Sequence, residues 1–162
     1  MKNTEKIPLT ISILSLIAII LMIYFFFGIT FSKDVYVVNG VSMLPTYKNG
    51  ERLYYETNQE INRYDVVIFQ DYTLTTNIKR VYGLPGETIQ IKENNIYIND
   101  KKIEDKWNIT NDWDGGIAET KFTLKENEFF VLGDNRNKST DSRHIELGTV
   151  NRKLIIGVVE QK

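Results

Sequence analysis

The chain of 162 residues has no cysteine, one histidine and three prolines. Without cysteine there can be no disulfide, thiol nucleophile or thiolate-bound zinc. With His144 as the single imidazole, a Ser-His-Asp triad has one residue to draw on, and that residue reads more simply as a surface histidine after a turn. Excess charge of either sign is also missing: 20 basic against 21 acidic side chains leave a formal charge of −1. Lys2, Lys6 and Lys33 precede Asp34, as does Glu5, so the remainder is slightly acidic and has no basic footprint for nucleic acid. Internal repeats, low-complexity linkers and, after the first thirty residues, a helical period are absent too.

The chain does hold one long uncharged run. From Ile7 to Ser32, "IPLTISILSLIAIILMIYFFFGITFS" contains no charged residue. At about 1.5 Å per helical residue it reaches across a hydrocarbon core of roughly 30 Å with some tilt. A cleaved signal peptide would have an apolar core of about 7–15 residues and a small-residue cleavage site, and this run has neither. The expected organisation is therefore a cytoplasmic tail over 1–6, a transmembrane helix over 7–32 and an extracytoplasmic domain over 33–162. Lys2 and Lys6 set that orientation by the positive-inside bias.

The remainder is written in short β-branched and aromatic stretches: "VYVV" at 35–38, "RLYY" at 52–55, "DVVIF" at 65–69, "NIKRVY" at 77–82, "TIQI" at 88–91, "IYI" at 96–98, "KFTL" at 121–124, "FFVL" at 129–132 and "LIIGVV" at 154–159. Turn dipeptides punctuate them at Asn49-Gly50, Pro85-Gly86, Asn94-Asn95, Asn99-Asp100 and Gly115-Gly116. The expected fold class is mainly β: a small all-β domain of coiled antiparallel sheets, partly closed or folded into two layers, tethered by one N-terminal helix. The stretch "DKWNITNDWDGG" at 105–116 reads as a surface excursion.

Candidate chemistry concentrates in "GDNRNKSTDSR" at 133–143. An EF-hand reading fails, since arginine occupies the third loop position and the expected glycine is missing, so no metal is expected. Asp134 and Asp141 lie among Arg136 and Arg143 and read as ion-paired. A hydrolytic option without histidine is serine with lysine. Lysine acts as a base when neutral, and burial against apolar groups can lower its pKa by about 3 units or more. Lys79 sits within an apolar strand pattern, alternating with Asn77 and Val81 on one face and Ile78, Arg80 and Tyr82 on the other. Taken alone it reads more simply as an edge-strand lysine in solvent. Ser42 stands at a strand end after Gly40 and before Pro45, which alone reads as a strand end with a turn, though a nucleophile needs a backbone corner of that kind.

Taken together, "SMLPT" at 42–46, "IKRVYGLPGE" at 78–87 and "GDNRNKSTDSR" at 133–143, behind an N-terminal apolar span, resemble the type I signal peptidases in their short Gram-positive form. The resemblance covers nearly the whole chain and implies a membrane-anchored serine endopeptidase working through an acyl-enzyme. It implies Ser42 as nucleophile and backbone oxyanion donor, Lys79 as general base, Ser139 as the hydroxyl that orients the base, and Asp134, Asp141 and Arg143 as structural support. It also implies a substrate lying as an added strand between residues 35–42 and 76–79, touching Val38, Gly40, Val41, Met43 and Asn77, with small residues first and third before the scissile bond. Exported preproteins with their signal peptides, the phospholipid bilayer and the secretion translocon are the implied partners, the plasma membrane the implied location, and no cofactor is implied.

Departures from the family pattern are Gly40 where some members have serine, Glu87 for a common aspartate, Tyr82 for an aliphatic residue, Tyr47 for leucine, and a late glycine in "HIELG" at 144–148. Two alternatives stay open: a peptidase-derived membrane assembly factor without activity, and a peptidase dedicated to one client such as a pilin. Self-cleaving Ser/Lys repressors share the chemistry but carry a DNA-binding domain in place of a membrane span.

Overall fold

The structure, a computed structural model, describes residues 9–30, 34–108 and 112–160, and within the first of these the side chains of 13–25. The chain divides into two compact units, Met1–Lys33 and Asp34–Lys162. The first unit contains helix α1, Leu9–Thr30. Its described side chains are all exposed and, apart from Ser15, apolar around the whole circumference, so it has no face that prefers water. Among the described residues no helix is long and apolar enough to cross a membrane. The described side chains of α1 stop at 13 and 25, short of the roughly 20 that a span requires. The expected tail over 1–6, with Lys2 and Lys6, lies outside the described residues, as do 7, 8 and 31–33.

Among the described residues of the second unit, eleven strands form two antiparallel sheets. The larger has the order β1-β2-β11-β3-β4-β9-β10, the smaller β7-β6-β5-β8. Strands β1 (Asp34–Val37), β2 (Arg52–Glu56), β3 (Val66–Gln70), β4 (Thr76–Gly83), β9 (Glu128–Leu132), β10 (Val150–Asn151) and β11 (Ile155–Val159) make the first sheet. Strands β5 (Thr88–Lys92), β6 (Asn95–Ile98), β7 (Lys101–Lys102) and β8 (Phe122–Thr123) make the second.

Alternation along β3 explains the layering. Val66 and Ile68 join Val38, Met43, Leu53 and Ile78 in one buried cluster, whereas Val67 and Phe69 join Val81, Val131 and Ile155 in another. A third cluster, with Tyr82, Ile89, Ile96, Trp113 and Phe130, lies against the second sheet. The larger sheet is coiled: β1 and β4 are four places apart in its order, yet the Tyr36 hydroxyl donates to the Thr76 carbonyl at 3.4 Å.

Turn chemistry fixes the registers. The β5–β6 hairpin closes with Lys92 opposite Asn95, so its two-residue loop is Glu93-Asn94, at φ 47° and 61°. Asn99-Asp100, at φ 50° and 65°, closes β6–β7 in the same way; both have the positive φ pair that matches the twist of the flanking strands. The β3–β4 loop is organised by Asp71, whose carboxylate accepts from Thr73 N, Thr73 Oγ1 and Thr75 N. These bonds, led by the Thr73 hydroxyl, hold its carboxyl below the usual carboxylate range.

Several expectations change. The strand expected at 121–124 shrinks to Phe122–Thr123, and the two-residue strands β7 and β10 were not foreseen. The segment 105–116 is no mere surface excursion, because Trp113 is buried and Trp107 packs on the same cluster. Gly115-Gly116 makes that packing feasible. A Cβ on Gly116, at φ +56°, would lie 2.2 Å from the Arg143 carbonyl oxygen, and Ile117 N donates to that same oxygen at 2.9 Å.

Gly83 marks a register shift between β4 and β9, and a Cβ there would lie 2.6 Å from Leu124 Cδ1 and 2.9 Å from Phe130 Cβ. Gly83→Ala is expected to destabilise the domain by about 1–3 kcal/mol through overpacking. Thermal denaturation of the full chain in detergent checks this, and an unchanged midpoint counts against it.

Candidate active site

The chain leaves β1 through Val38 and Asn39, turns at Gly40 with φ +96°, and enters a short coil braced by Leu44 N to Val41 O (3.2 Å) and Tyr47 N to Met43 O (2.9 Å). Asn49 Oδ1 accepts from Gly40 N at 2.8 Å and holds the bend. Ser42 stands half-buried at the start of this coil. Strand β4 brings up Lys79, opposite Val67 in the β3 register. Lys79 Nζ donates to Ser42 Oγ at 3.0 Å and to the Ile78 carbonyl at 3.0 Å.

Lys79 is 4% exposed. Burial lowers its pKa from 10.5 to about 8, against the opposing pull of the Asp141 and Asp134 carboxylates. Roughly a tenth of such an amine is neutral at pH 7, against well under one per cent at the ordinary value. A 3.0 Å contact to a hydroxyl is within the range for direct proton transfer.

The loop at 133–143 closes on this pair. Gly133 has no room for a side chain: a Cβ would lie 2.2 Å from Ser139 Oγ and 2.7 Å from the Ser42 carbonyl oxygen. Asn135 N donates to Ser42 O at 2.9 Å, and Asn135 Nδ2 to Val41 O at 3.1 Å. Asp134 is buried and accepts from Arg80 Nε (2.8 Å), Arg80 Nη2 (2.6 Å) and Thr46 Oγ1 (2.6 Å). Asp141, equally buried, accepts from Arg143 Nε (2.8 Å), Arg143 Nη2 (3.0 Å) and Gly133 N (3.0 Å). Both are two-pronged arginine–carboxylate pairs, whose planar geometry fixes orientation as well as charge.

Arg136 is not Asp134's partner. Its Nε donates to Gly133 O at 2.8 Å and its other nitrogens reach Asp105, at 2.7 and 3.0 Å, and the Tyr82 hydroxyl at 2.8 Å. That hydroxyl donates to Asp105 Oδ1 at 2.6 Å, and burial pushes its pKa up, so it stays a donor. Tryptophans cover the same charges: Arg80 lies 4.2 Å from the Trp107 ring centroid, and Arg136 and Arg143 lie 4.8 and 5.3 Å from that of Trp113.

A cleft of about 230 Å³ opens over Ser42 and Lys79, walled by Gly40, Val41 and Asn77 among the expected substrate residues, and by Tyr36, Asn39, Thr76, Ile78, Lys138 and Thr140. Val38 and Met43 do not line it. Both side chains are buried in the core cluster with Leu53, Val66 and Ile78, and the backbone of Val38 is already bonded to Gly50 and Glu51. Ser139 is buried beside Gly133, and its hydroxyl has no hydrogen-bond partner among the described residues, so the expected bond to Lys79 is not formed here. His144 lies outside the cleft with Nδ1 accepting from Asp141 N at 3.3 Å. The late glycine after it ends a single turn, Gly148 N to His144 O at 2.8 Å, with φ +61°.

Sequence reasoning did not single out Arg80 as the partner of Asp134, nor Asn135, Tyr82 or Asp105 as parts of the site. Arg80 and Asn135 stand inside quoted motifs. Asp105 had no local signal, because its role comes from the fold of a distant segment onto Arg136.

This coiled two-sheet domain, with a serine and a buried lysine in contact, defines a class of serine endopeptidase. The model of the family described as signal peptidase, peptidase S26, matches residues 10–161, and the chain belongs to that family. It is 36% identical over 157 residues to signal peptidase I P of Bacillus subtilis subsp. natto, covering 90% of this chain and 83% of that protein. Signal peptidase I of Bacillus licheniformis is 37% identical over 139 residues, 78% of this chain and 74% of its own. The crystal structure of a signal peptidase I from Enterococcus faecalis superposes with a TM-score of 0.54 at 27% identity, covering 63% of this chain and 98% of that one.

Two consequences for stability follow from the buried charges. The folded pKa of Lys79 lies below its unfolded value, so the penalty for the protonated amine is complete below about pH 8 and fades as pH rises toward 10.5. Lys79→Met is therefore expected to raise stability by up to about 3 kcal/mol at pH 6 and by progressively less above pH 8. Denaturant titrations across that range measure it, and a gain independent of pH would contradict the assignment. Asp134→Ala strands the Arg80 guanidinium, and a loss of about 3–5 kcal/mol is expected by the same measurement.

Proposed function

We propose that this chain removes signal peptides from exported proteins, with Ser42 as nucleophile and Lys79 as its general base. The 3.0 Å contact between Lys79 Nζ and Ser42 Oγ, at the floor of an open cleft, is the observation that carries this reading. Neutral Lys79 takes the Ser42 proton as Oγ attacks the scissile carbonyl, whose π electrons move onto oxygen beside the Ser42 N–H. Collapse returns the proton to the leaving amine and leaves an ester on Ser42. A water, deprotonated by the same amine, then hydrolyses it.

The walls suit an extended substrate. β1 is a terminal strand of its sheet, and Thr76–Lys79 pairs with β3 on one side while β9 begins to pair on the other at Arg80. An added strand would find backbone partners along both walls, as in other β-augmentation sites. Asn77 keeps its side chain in place there through Nδ2 to Asp71 Oδ2 at 2.9 Å and to Thr75 O at 3.1 Å. Ser139 retains the proposed orienting role. A buried hydroxyl without a partner is costly, and an ammonium with two of its three donors engaged can supply one.

The same reading makes α1 the single membrane anchor, N-terminus cytoplasmic and the β domain outside. Its exposed Leu14, Ile17, Leu21 and Phe25 side chains belong in lipid. Signal peptides at the membrane surface, the bilayer and the translocon are then the partners.

In detergent–phospholipid micelles, the full chain is expected to cleave a preprotein carrying an Ala-x-Ala site, and Ser42→Ala and Lys79→Ala to reduce turnover at least a thousandfold. The wild-type rate should rise with pH through about 8 as Lys79 loses its proton. Activity retained in Lys79→Ala would move the base to another residue. Alkaline carbonate should leave the protein in the membrane fraction, and release into the supernatant would remove the anchor.

A further inference from the structure

Among the described residues, the peptide between Val41 and Ser42 is held from its carbonyl side only. Val41 O accepts from Leu44 N at 3.2 Å and from Asn135 Nδ2 at 3.1 Å. The next carbonyl, Ser42 O, accepts from Asn135 N at 2.9 Å. Asn135 thus grips two successive carbonyls of the nucleophile segment, one with its side chain and one with its backbone. A trans peptide is planar, with its C=O and N–H pointing in opposite directions. Tying Val41 O to the 133–143 loop therefore turns the Ser42 N–H away from that loop. Gly40 and Val41, the residues before Ser42, both line the cleft.

The tether is needed because of what precedes it. Gly40 sits at φ +96°, a conformation that favours glycine, and without a Cβ it restrains the peptides that follow less than another residue would. Asn49 holds the Gly40 N–H, two peptides too early to fix the plane at 41–42. Leu44 N and the Asn135 amide are the bonds that fix it, and Leu44 belongs to the same short coil and would move with it.

We propose that the Asn135 side chain is a positioning residue for the oxyanion: it aims the Ser42 N–H at the carbonyl oxygen of the tetrahedral intermediate. This rests on the peptidase reading above. It assigns Asn135 a part in transition-state binding that is separate from the Lys79 proton transfer, since its amide is bonded to the Val41 carbonyl, and Lys79 Nζ to Ser42 Oγ and the Ile78 carbonyl.

Asn135→Ala removes the bond to Val41 O and keeps the backbone bond to Ser42 O. Using the full chain in detergent–phospholipid micelles, kcat is expected to fall about 10- to 100-fold. KM should change less than about twofold, and the acid limb of the pH–rate profile should stay at its wild-type position. A peptide aldehyde matching the substrate, which forms a tetrahedral adduct on a serine hydroxyl, should lose affinity by the same factor as kcat, and the cleaved signal-peptide product should not. Asn135→Asp keeps the side-chain shape and sets a carboxylate against Val41 O, so it should be at least as impaired; it carries the test if the alanine variant fails to fold. An unchanged kcat in a folded variant overturns the proposal, as does a shifted acid limb, which would place Asn135 behind Lys79, or a pure KM effect, which would place it in ground-state binding. A wild-type chain without activity on preproteins would remove the peptidase reading and this inference with it. Normal wild-type turnover with unimpaired Asn135 variants would remove the inference alone.

Discussion

A primary amine taken out of water loses its hydration, and at Lys79 the structure replaces little of it: one serine hydroxyl and one backbone carbonyl. Neither Asp134 nor Asp141 is free to neutralise it, because each is committed to its own arginine. Removing the nearest carboxylates from direct contact while keeping them close enough to matter electrostatically is what leaves the amine basic yet partly unprotonated. The surroundings must therefore be rigid, since any rearrangement that let a carboxylate reach Nζ would form an ion pair and hold the amine protonated.

Rigidity comes from three arginines that are each nearly buried. Arg80 on β4 holds Asp134, Arg143 holds Asp141, and Arg136 holds Asp105, all within one patch roofed by Trp107 and Trp113. Such pairs add little net stability compared with apolar packing, but they have one good geometry each. Their value lies in direction. Two of the three reach Gly133 or its partners, so the loop that meets Ser42 is oriented from the larger sheet and the 103–116 segment at once.

Much of this was legible in the amino-acid pattern because it is local. Short β-branched and aromatic runs between turn signals placed nine of the strands, and three motifs carried Ser42, Lys79 and the 133–143 loop. What escaped was either too short to leave a period, as with Lys101–Lys102 and Val150–Asn151, or created by tertiary packing. Trp113 in "NDWDGG" looks solvent-bound among its polar neighbours, yet it is folded inward over Arg136. Val38 and Met43 were expected against the substrate on the strength of the family resemblance, and their side chains are buried in a core cluster with Leu53 and Ile78. The pairing of Asp134 with Arg80 instead of Arg136 likewise depends on how β4 lies against the loop, which no spacing rule contains.

On the proposed reading the substrate lies extended in the slot between the end of β1 and the start of β4. A strand advances about 3.3 Å per residue and a helix about 1.5 Å, so a helical segment must more than double its length before it can lie along these walls. Helical hydrogen bonds must break before those with the slot can form. On that reading, recognition depends on how readily a stretch of chain uncoils as well as on the side chains at the scissile bond.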